Sequence, residues 1–406
     1  MFDKTCPESF ELHIEGLALF CAPKEELFKR SNGVYEPAYA PVFYNPAMIE
    51  NRDITMAVLR NELTHHKDVF IFVDPMAATG VRSIRFALEV LAGVDKGGEI
   101  FMGDISDDAV KLIKHNIKVS NVDALSNVNV HVNLMDANEL LYHLKRQKFD
   151  IDYIDIDPFG SPAPFLHSAL STIRDGGIVG ITATDTAVLE GKYPATLYRR
   201  YGVKGVKSIV SKDIAIRALL AYTMKTASIF DNFIYPILSY YTKHYVRIFV
   251  KVRKSATKAN EYLKKCLGTM MVCNRCGFNF FISEETMVRD ARCPICGGVM
   301  VSIKPLWICN LFDSEYVRKT YELAKEMPWL SRSSLNILNK LSDATPLGST
   351  IRVTYIARAL NVKSPPIKRV IECIRNKGFK ASESLLYPDA LLTNATANDI
   401  ITCIKI

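Results

Sequence analysis

This 406-residue sequence has no long apolar run: it nowhere offers the about 18 consecutive apolar residues that a membrane-spanning helix needs. Its first fifteen residues also lack the apolar stretch of a signal peptide, because charged residues are scattered from Asp3 to Glu15. Neither an internal repeat nor a low-complexity tract is found. These absences argue against a membrane or fibrous protein. We expect a cytoplasmic protein without membrane contacts.

Neither the charged nor the apolar fraction is extreme: 23% of the residues are charged and 49% are hydrophobic, as in ordinary globular proteins. With roughly 150 residues per domain, the length predicts two domains or three. A chain of this size buries a full core without disulfide or metal staples. The oligomeric state is not encoded in any pattern, and we expect a monomer.

Acidic residues are scarce in residues 199–265, which we call the basic block. It holds 15 Lys and Arg but only three acids, whereas the whole chain has 51 basic and 43 acidic residues and a net charge of +8. Such a local surplus is typical of proteins that bind a nucleic-acid backbone, although a solvated surface with core tyrosines is the alternative. Tyrosines interleave with the block, among them Tyr193, Tyr198, Tyr201, Tyr222, Tyr240, Tyr241 and Tyr245.

Short apolar segments alternate with amphipathic ones between residues 67 and 255. Five apolar segments that end in polar residues predict strands at 67–75, 98–106, 128–138, 149–160 and 176–185. Helical spacing predicts helices between them at 81–91, 107–118, 138–147 and 162–174. Strand–helix alternation is typical of a parallel, doubly wound α/β sheet.

Two further predicted strands, 232–241 and 244–252, are separated by only two residues, which predicts an antiparallel hairpin. Five parallel strands followed by such a hairpin resemble the Rossmann-like sheet of class I methyltransferases. We therefore predict a first domain at 1–252, with an N-terminal extension at 1–66.

A polar and basic stretch, 253–265, is predicted to be a linker, and 266–406 a smaller C-terminal α/β domain. In that domain we expect helices at 335–341, 354–360 and 365–379, with some winged-helix character. The alternating segment 400–406 predicts a final strand.

Four of the ten cysteines form two close pairs, Cys273 with Cys276 and Cys293 with Cys296, and 16 residues separate the pairs. This is the C-x2-C…C-x2-C spacing of structural zinc sites, and a glycine after each pair relaxes its turn. Four thiolates complete a tetrahedral Zn²⁺ shell, so we predict a structural, zinc-ribbon-like module at 273–296. Free thiols or two disulfides are the alternatives, and disulfides are rare in proteins that are not exported. We expect the other six cysteines to be packing residues: Cys6, Cys21, Cys266, Cys309, Cys373 and Cys403.

Ligands of doubly wound sheets bind at the carboxyl ends of the strands. The loop after the first predicted strand, 74–80, has small residues but only one glycine, so it lacks the G-x-G-x-x-G pattern that binds pyrophosphate. Asp104 ends the second strand and can accept both ribose hydroxyls, and Asp136 follows the third and can accept from an adenine amine. Ribose and adenine without phosphates indicate S-adenosylmethionine. The alternative is that each aspartate caps the following helix.

The fourth predicted strand ends in Asp155-Ile156-Asp157-Pro158-Phe159-Gly160-Ser161-Pro162. This segment resembles the Asp/Asn-Pro-Pro-aromatic signature of methyltransferases that act on exocyclic base amines. A carboxylate at Asp157 can accept from both N1–H and N2–H of guanine, whereas adenine, with a donor beside an acceptor, suits an amide better. Phe159 offers a ring on which an extruded base can stack. A proline-rich turn with a capping aspartate is the alternative.

Several segments together resemble the tRNA (guanine-26-N2)-dimethyltransferase family along nearly the whole chain. The segments that carry the resemblance are 42–46, 51–53, 78–86, 103–105, 157–162, 181–186 and 305–307. The resemblance implies that two methyl groups pass from S-adenosylmethionine to the N2 amine of one guanine in tRNA. It also implies a catalytic first domain and tRNA contacts from the C-terminal domain.

The resemblance assigns roles to individual residues. Arg52 and Arg82 would contact the cofactor, Asp104 its ribose, and Asp136 with the Ala137 backbone its adenine. Asp157 would face the guanine, with Phe43 and Phe159 flanking it. Two rival interpretations stay open: methylation of another guanine or of adenine N6, and a non-catalytic RNA-binding protein that keeps the fold as a scaffold.

Overall fold

The computed structural model describes residues 5–66, 69–283, 286 and 291–405. Parts of the predicted strands 67–75 and 400–406 and of the predicted zinc module lie outside these ranges. The chain forms two compact units. The first comprises Met1–Asp157, Ser171–Gly180 and Lys319–Leu338, and the second Pro158–Leu170, Ile181–Arg318 and Asn339–Ile406.

The strands are β1 (Phe10–Glu15), β2 (Ala18–Pro23), β3 (Phe70–Asp74), β4 (Gly98–Asp104), β5 (Val128–Leu134), β6 (Ile151–Ile156), β7 (Ile173–Ala183), β8 (Asn232–Thr242), β9 (Tyr245–Lys254), β10 (Leu267–Cys273), β11 (Asn279–Ser283), β12 (Met300–Trp307), β13 (Ser349–Arg352), β14 (Ala381–Glu383) and β15 (Ala390–Thr393).

The helices are α1 (Ile49–Leu63), α2 (Val81–Arg85), α3 (Asp107–Val119), α4 (Ala137–Arg146), α5 (Ala163–Thr172), α6 (Thr186–Leu189), α7 (Pro194–Tyr201), α8 (Ser211–Ser228), α9 (Ala256–Cys266), α10 (Ser314–Lys325), α11 (Arg332–Ser342), α12 (Val353–Ala359), α13 (Ile367–Asn376) and α14 (Ala397–Ile404). A π-helical turn, Phe86–Leu91, continues α2.

The largest sheet has seven strands in the order β5-β4-β3-β6-β7-β9-β8. Strands β3 to β6 pair in parallel, and β8 and β9 form an antiparallel hairpin. The predicted α/β fold, a mostly parallel sheet that ends in a hairpin, is therefore confirmed. Every residue of β6 is buried, as expected for a strand covered on both faces. Stacked rings of Phe86, Phe72 and Tyr153 help to fix β3 and β6 side by side.

The second unit contains two smaller antiparallel sheets, with strand orders β11-β10-β12 and β13-β15-β14. Helices α12 and α13 lie in sequence between β13 and β14, so the C-terminal part is α/β as predicted. Apolar side chains of both sheets and of α12 to α14 share one core with the four paired cysteines.

The predicted final strand is wrong, because this segment forms helix α14. Its buried residues are Ile400, Cys403 and Ile404, whose spacing of three and four places them on one helical face. The side chain of Thr396 caps the helix by accepting from the backbone N–H of Asp399. Burial on this face outweighs the strand preference of the β-branched residues.

Residues 253–265, predicted to be a linker, form the end of β9 and most of helix α9. Ser255 begins the helix, and its side chain accepts from the N–H of Lys258. The polar composition reflects the exposed face of this helix. The domain boundaries drawn from the sequence do not coincide with the two compact units and stay a prediction.

The six cysteines that we expected to be packing residues instead form three disulfides: Cys6–Cys21, Cys266–Cys309 and Cys373–Cys403. The expectation was wrong because it rested on the scattered positions of these cysteines, and the partners lie 15, 43 and 30 residues apart in the sequence, where no local pattern shows which side chains meet. Among the described residues, no helix is long and apolar enough to cross a membrane.

Candidate active site and metal centre

Acidic residues line the carboxyl edge of the parallel strands. Each strand ends in an aspartate or is followed by one within two residues: Asp136 for β5, Asp104 for β4, Asp74 for β3 and Asp157 for β6, which is the order of these strands in the sheet. Helix N-termini follow the strands, so this edge is where a doubly wound fold binds its ligand. Alternation of strands and helices in the sequence was enough to predict that these side chains share one edge.

Asp104 and Asp136 both accept hydrogen bonds from backbone N–H groups at this edge of the sheet. Asp104 accepts from Ala78 N at 3.0 Å and from Ser106 N at 2.9 Å. Asp136 accepts from Asn138 N at 2.9 Å and so caps α4, which is the structural role weighed against cofactor binding. Each carboxylate has further acceptor capacity for hydroxyl or amine donors, so capping and ligand binding are compatible.

Two apolar side chains next to these aspartates are exposed. Ile105, directly after Asp104, is 76% exposed, and Leu134, two residues before Asp136, is 54% exposed. Exposed apolar side chains at the carboxyl edge of the sheet suit the faces of an adenine ring. The sequence interpretation missed both residues. For Ile105 a usable signal existed, namely an apolar residue directly after a strand-ending aspartate. This edge therefore fits an adenosine-containing ligand.

Arg82 is bound through all three guanidinium nitrogens. Nη1 donates to Asn51 Oδ1 at 2.9 Å and to Thr55 Oγ1 at 3.0 Å. Nε lies 3.3 Å from Asp155 Oδ1, and Nη2 donates to Asp157 Oδ2. Arg82 thus joins helix α1 to the end of β6, and it fixes the carboxylate that the sequence predicts to face the target base.

Asp74 adds a third carboxylate to the surroundings of Arg82. Burial raises the pKa of Asp74 to about 7, and the negative charges of Asp155 and Asp157 add to the effect, while the Arg82 charge only partly opposes it. The hydroxyl of Ser83 donates to Asp74 Oδ2 at 3.2 Å. One arginine does not neutralise three carboxylates, so Asp74 keeps its proton up to about pH 7.

Arg52, predicted to contact the cofactor, is buried and held by Glu15. Nε and Nη2 donate to the two oxygens of Glu15, each at 2.6 Å, and the guanidinium lies 5.3 Å from the ring centroid of Tyr44. Burial alone would raise the pKa of Glu15, but the charges and hydrogen bonds of Arg52 and Arg85 lower it to about 2. Glu15 is therefore charged throughout the physiological range.

The third nitrogen of Arg52, Nη1, has no hydrogen-bond partner among the residues that the structure describes. It is the donor that Glu15 leaves available for a ligand. The sequence interpretation missed Glu15, because nothing in the spacing of Glu15 and Arg52 indicates that the β1–β2 hairpin returns to α1.

The two aromatic residues predicted to flank the guanine are both accessible. Phe43 is 40% exposed in the first unit, and Phe159 is 78% exposed in the second. Phe residues are usually buried, so exposed Phe side chains call for an explanation by function. The backbone of Gly160, next to Phe159, is fixed by Thr184, whose Oγ1 accepts from Gly160 N at 2.8 Å.

The four paired cysteines meet at one point in the second unit. The sulfur atoms of Cys273, Cys276, Cys293 and Cys296 all lie within 4.8 Å of one another. Four sulfurs about 2.3 Å from a central Zn²⁺ lie at tetrahedral separations slightly under 4 Å, so the cluster fits a structural zinc ion. Other clusters of metal-ligand type are not found among the described residues.

Two matching turns build this cluster. In the first, Gly277 N donates to Cys273 O at 2.8 Å; in the second, Gly297 N donates to Cys293 O, also at 2.8 Å. Both glycines have φ near +70°, a conformation that costs glycine little. The glycine after each cysteine pair therefore has the role predicted from the sequence.

The basic block is partly internal. Arg217 and Arg247 are fully buried, and Arg217 donates to Asp213, to Trp307 O and to Gly348 O. Of the tyrosines singled out in the sequence, four are buried: Tyr201, Tyr240, Tyr241 and Tyr245. The alternative that the tyrosines belong to the core is therefore right for these four. Tyr193 and Tyr198, in contrast, are about half exposed.

The exposed tyrosines lie beside exposed cations. Lys192 Nζ lies 5.6 Å from the ring centroid of Tyr193, and Lys204 Nζ lies 5.2 Å from that of Tyr198. Lys204 also pairs with Lys304 of β12 through two backbone hydrogen bonds. Exposed rings beside cations around α7 suit unstacked bases and phosphates.

The chain is similar to known proteins over nearly its full length. A family model described as N2,N2-dimethylguanosine tRNA methyltransferase matches residues 24–405. The tRNA (guanine(26)-N(2))-dimethyltransferase of Metallosphaera sedula is 35% identical over 394 residues, which are 97% of this chain and 96% of that protein. The protein of the same name from Saccharolobus solfataricus is 34% identical over 379 residues, 92% and 93% of the two chains.

A solved structure is similar along nearly the whole chain. It is Trm1 from Pyrococcus horikoshii in complex with S-adenosyl-L-methionine, with a TM-score of 0.79 at 29% identity, and the match covers 97% of this chain and 99% of that one. The family model and the similar proteins lead to one conclusion. This chain belongs to the N2,N2-dimethylguanosine tRNA methyltransferase family.

Proposed function

We propose that this chain transfers methyl groups from S-adenosyl-L-methionine to the exocyclic N2 amine of a guanine in tRNA, twice on the same nitrogen, and that the guanine is nucleotide 26. The observation that carries the proposal is the bond between Arg82 and Asp157 at the end of β6, inside a chain that matches this family over nearly its full length. An aspartate held in place at this edge suits the paired N1–H and N2–H donors of guanine.

We assign Asp157, Phe159 and Phe43 to the base. Asp157 accepts hydrogen bonds from the guanine donors, which localises the N2 lone pair for attack, while the two phenylalanines flank the ring. The side chain of Asp157 is 20% exposed, so it is reachable from solvent while Arg82 restrains it. Orientation of the amine against the reacting carbon is the main catalytic contribution of these residues.

We assign Arg52, Arg82, Asp104, Asp136 and Ala137 to the cofactor. Bound S-adenosylmethionine supplies an electrophilic methyl group on a sulfonium. Asp104 and Asp136 suit its ribose hydroxyls and adenine amine, and Nη1 of Arg52, which Glu15 does not bind, suits its carboxylate. Cys273, Cys276, Cys293 and Cys296 would hold a structural Zn²⁺.

The exposed cations and tyrosines around α7 support a role in gripping the tRNA, together with the zinc module and the rest of the predicted C-terminal domain. The target base must leave its stack to reach Asp157, at a cost of a few kcal/mol. We place the enzyme in the cytoplasm, where tRNA is modified, and propose that it acts as a monomer.

Nucleoside mass spectrometry tests the function directly. Unmodified tRNA transcripts are incubated with the protein and methyl-labelled S-adenosylmethionine, then digested to nucleosides. We expect labelled N2,N2-dimethylguanosine, with N2-methylguanosine at early times, and loss of both when guanine 26 is replaced. Label only in N6-methyladenosine would overturn the base assignment, and no label would favour a non-catalytic RNA-binding protein.

A further inference from the structure

Helix α7 connects an exposed face to a buried hydroxyl. Its last residue, Tyr201, is 1% exposed, whereas Tyr198 on the same helix is 53% exposed beside Lys204. The hydroxyl of Tyr201 lies between two polar side chains from other parts of the second unit, Ser161 and Asp185. The family assignment does not account for this arrangement.

The hydrogen bonds at Tyr201 have a single possible direction. Tyr201 Oη donates to Asp185 Oδ1 at 2.8 Å, and burial raises the pKa of Tyr201, so the hydroxyl keeps its proton. A phenol has one proton, so Ser161 must be the donor in its 2.7 Å contact with Tyr201. Ser161 Oγ in turn accepts from Ala163 N at 3.4 Å, where α5 begins. A chain of hydrogen bonds therefore runs from Ala163 through Ser161 and Tyr201 to Asp185.

The loop that contains Phe159 and Ser161 is also held through the backbone of Gly160. Gly160 O accepts from Thr184 N at 2.9 Å and from Asp185 N at 3.3 Å, and Gly160 has a φ of +97°. Phe159, which precedes this fixed glycine, is 78% exposed. An exposed ring on a restrained backbone loses little further entropy when a base stacks on it.

Asp185 also receives a donor from the surface. Arg200 Nη1 donates to Asp185 Oδ2 at 3.0 Å, and the side chain of Arg200 is 43% exposed. A guanidinium has five N–H groups, so Arg200 has donors left for a phosphate. Asp185 thus accepts from two residues of α7. One is the buried Tyr201, which also contacts Ser161 in the loop of Phe159, and the other is the partly exposed Arg200.

We propose that Tyr201 is a positioning residue that joins the tRNA-binding face of α7 to the loop presenting Phe159, with Asp185 as the shared acceptor. The inference rests on the proposed function, and the partner is the tRNA backbone next to the target guanine. A phosphate on Arg200 then stabilises the loop arrangement in which Phe159 receives the base. Tyr201 itself touches neither the base nor the cofactor.

The test is Tyr201→Phe, which removes the donor and keeps the ring. We expect the single-turnover methylation rate at saturating tRNA to fall about tenfold, while cofactor affinity by calorimetry changes less than about twofold and the melting temperature changes little. Ser161→Ala should give a similar loss, and Ser161→Thr, which keeps the hydroxyl, should recover activity. Because Ser161 and Tyr201 act in one hydrogen-bond chain, the double variant should be no slower than Tyr201→Phe alone.

Tyr235→Phe is the matched control, since Tyr235 also donates to a carboxylate, Asp313, at 3.1 Å but belongs to β8. It should leave the rate unchanged. A wild-type rate in Tyr201→Phe, or additive losses in the double variant, would overturn the inference. Failure of the proposed function is distinguishable, because wild-type protein would then produce no N2-methylated guanosine at all.

Discussion

The guanidinium of Arg82 donates to the carboxylate of Asp157, so a residue assigned to the cofactor and the residue assigned to the guanine are bound to each other. Asn51 and Thr55 of α1 hold the same arginine from the opposite side. Cofactor site and base site are therefore not independent, and a change at Arg82 is expected to affect both.

Asp157→Asn tests whether the target is guanine. The amide offers only one acceptor to the paired donors of guanine and weakens the bond to Arg82, so we expect kcat for N2 methylation to fall at least about a hundredfold, a loss of roughly 3 kcal/mol in transition-state stabilisation. Cofactor affinity should change by less than about threefold. Steady-state kinetics with tRNA transcripts gives the first value and calorimetry the second.

Asp150→Asn is the control for this variant, because Asp150 is exposed just before the opposite end of β6. It should behave as wild type. If Asp157→Asn methylated guanine at the wild-type rate, the role given to the carboxylate would be wrong, and a gain of methylated adenine would favour the rival substrate.

Glu15→Gln tests whether Glu15 orients Arg52 for the cofactor. The amide keeps the shape but loses the charge that holds two arginines, and loss of a buried ionic partner costs about 3 kcal/mol. We expect lower stability in urea and a dissociation constant for S-adenosylmethionine raised about tenfold or more. Glu99→Gln, on the exposed pair with His131, is the control and should cost less than about 1 kcal/mol. Unchanged cofactor affinity in Glu15→Gln would contradict the orienting role.

The sequence predicted the sheet and the acidic strand ends well, because both follow from local periodicity and from the position of polar residues after apolar runs. It did not predict the partners of Arg52 and Arg82. Glu15 lies 37 residues from Arg52 and Asp157 lies 75 residues from Arg82, and no local pattern encodes such pairings. For the same reason α14 was mistaken for a strand: its buried face depends on the core it meets.

Asp74→Asn tests the proton held beside Arg82. The unfolded chain loses this proton near pH 4, whereas the folded protein keeps it to about pH 7. Unfolding thus releases protons between these values, and the free energy of unfolding contributed by Asp74 falls as the pH rises, by roughly 4 kcal/mol in total. Urea unfolding of cofactor-free protein at pH 5 and pH 8 should show wild type losing about 2 to 3 kcal/mol more than Asp74→Asn.

Ser83→Ala is the companion variant, since it removes the hydroxyl bonded to Asp74 but keeps the carboxyl. Its stability should depend on pH as strongly as that of wild type. Identical pH dependence in wild type and Asp74→Asn would show that the carboxyl is already ionised at pH 5.

Cys273→Ser tests the metal centre. Removing one of four thiolates leaves an incomplete tetrahedral shell, so we expect less than the wild-type one zinc per chain and a lower melting temperature. Cofactor affinity should be largely unchanged. Elemental analysis of dialysed protein gives the zinc content, and Cys373→Ser, from a disulfide outside the cluster, should retain it. Full zinc content in Cys273→Ser would contradict the ligand assignment.

The last prediction concerns the oxidation state of the ten cysteines. Three disulfides and four free thiols are expected in the purified protein. Alkylation in denaturant with a chelator and no reductant should therefore label four cysteines, all between residues 273 and 296, whereas ten should be labelled after reduction. Each disulfide restrains the unfolded chain, worth about 3 kcal/mol for the shortest loop, so reduction should also lower the melting temperature. Peptide mapping identifies the labelled residues. Ten labelled cysteines before reduction would show that these six side chains are packing thiols, as their scattered positions in the sequence first indicated.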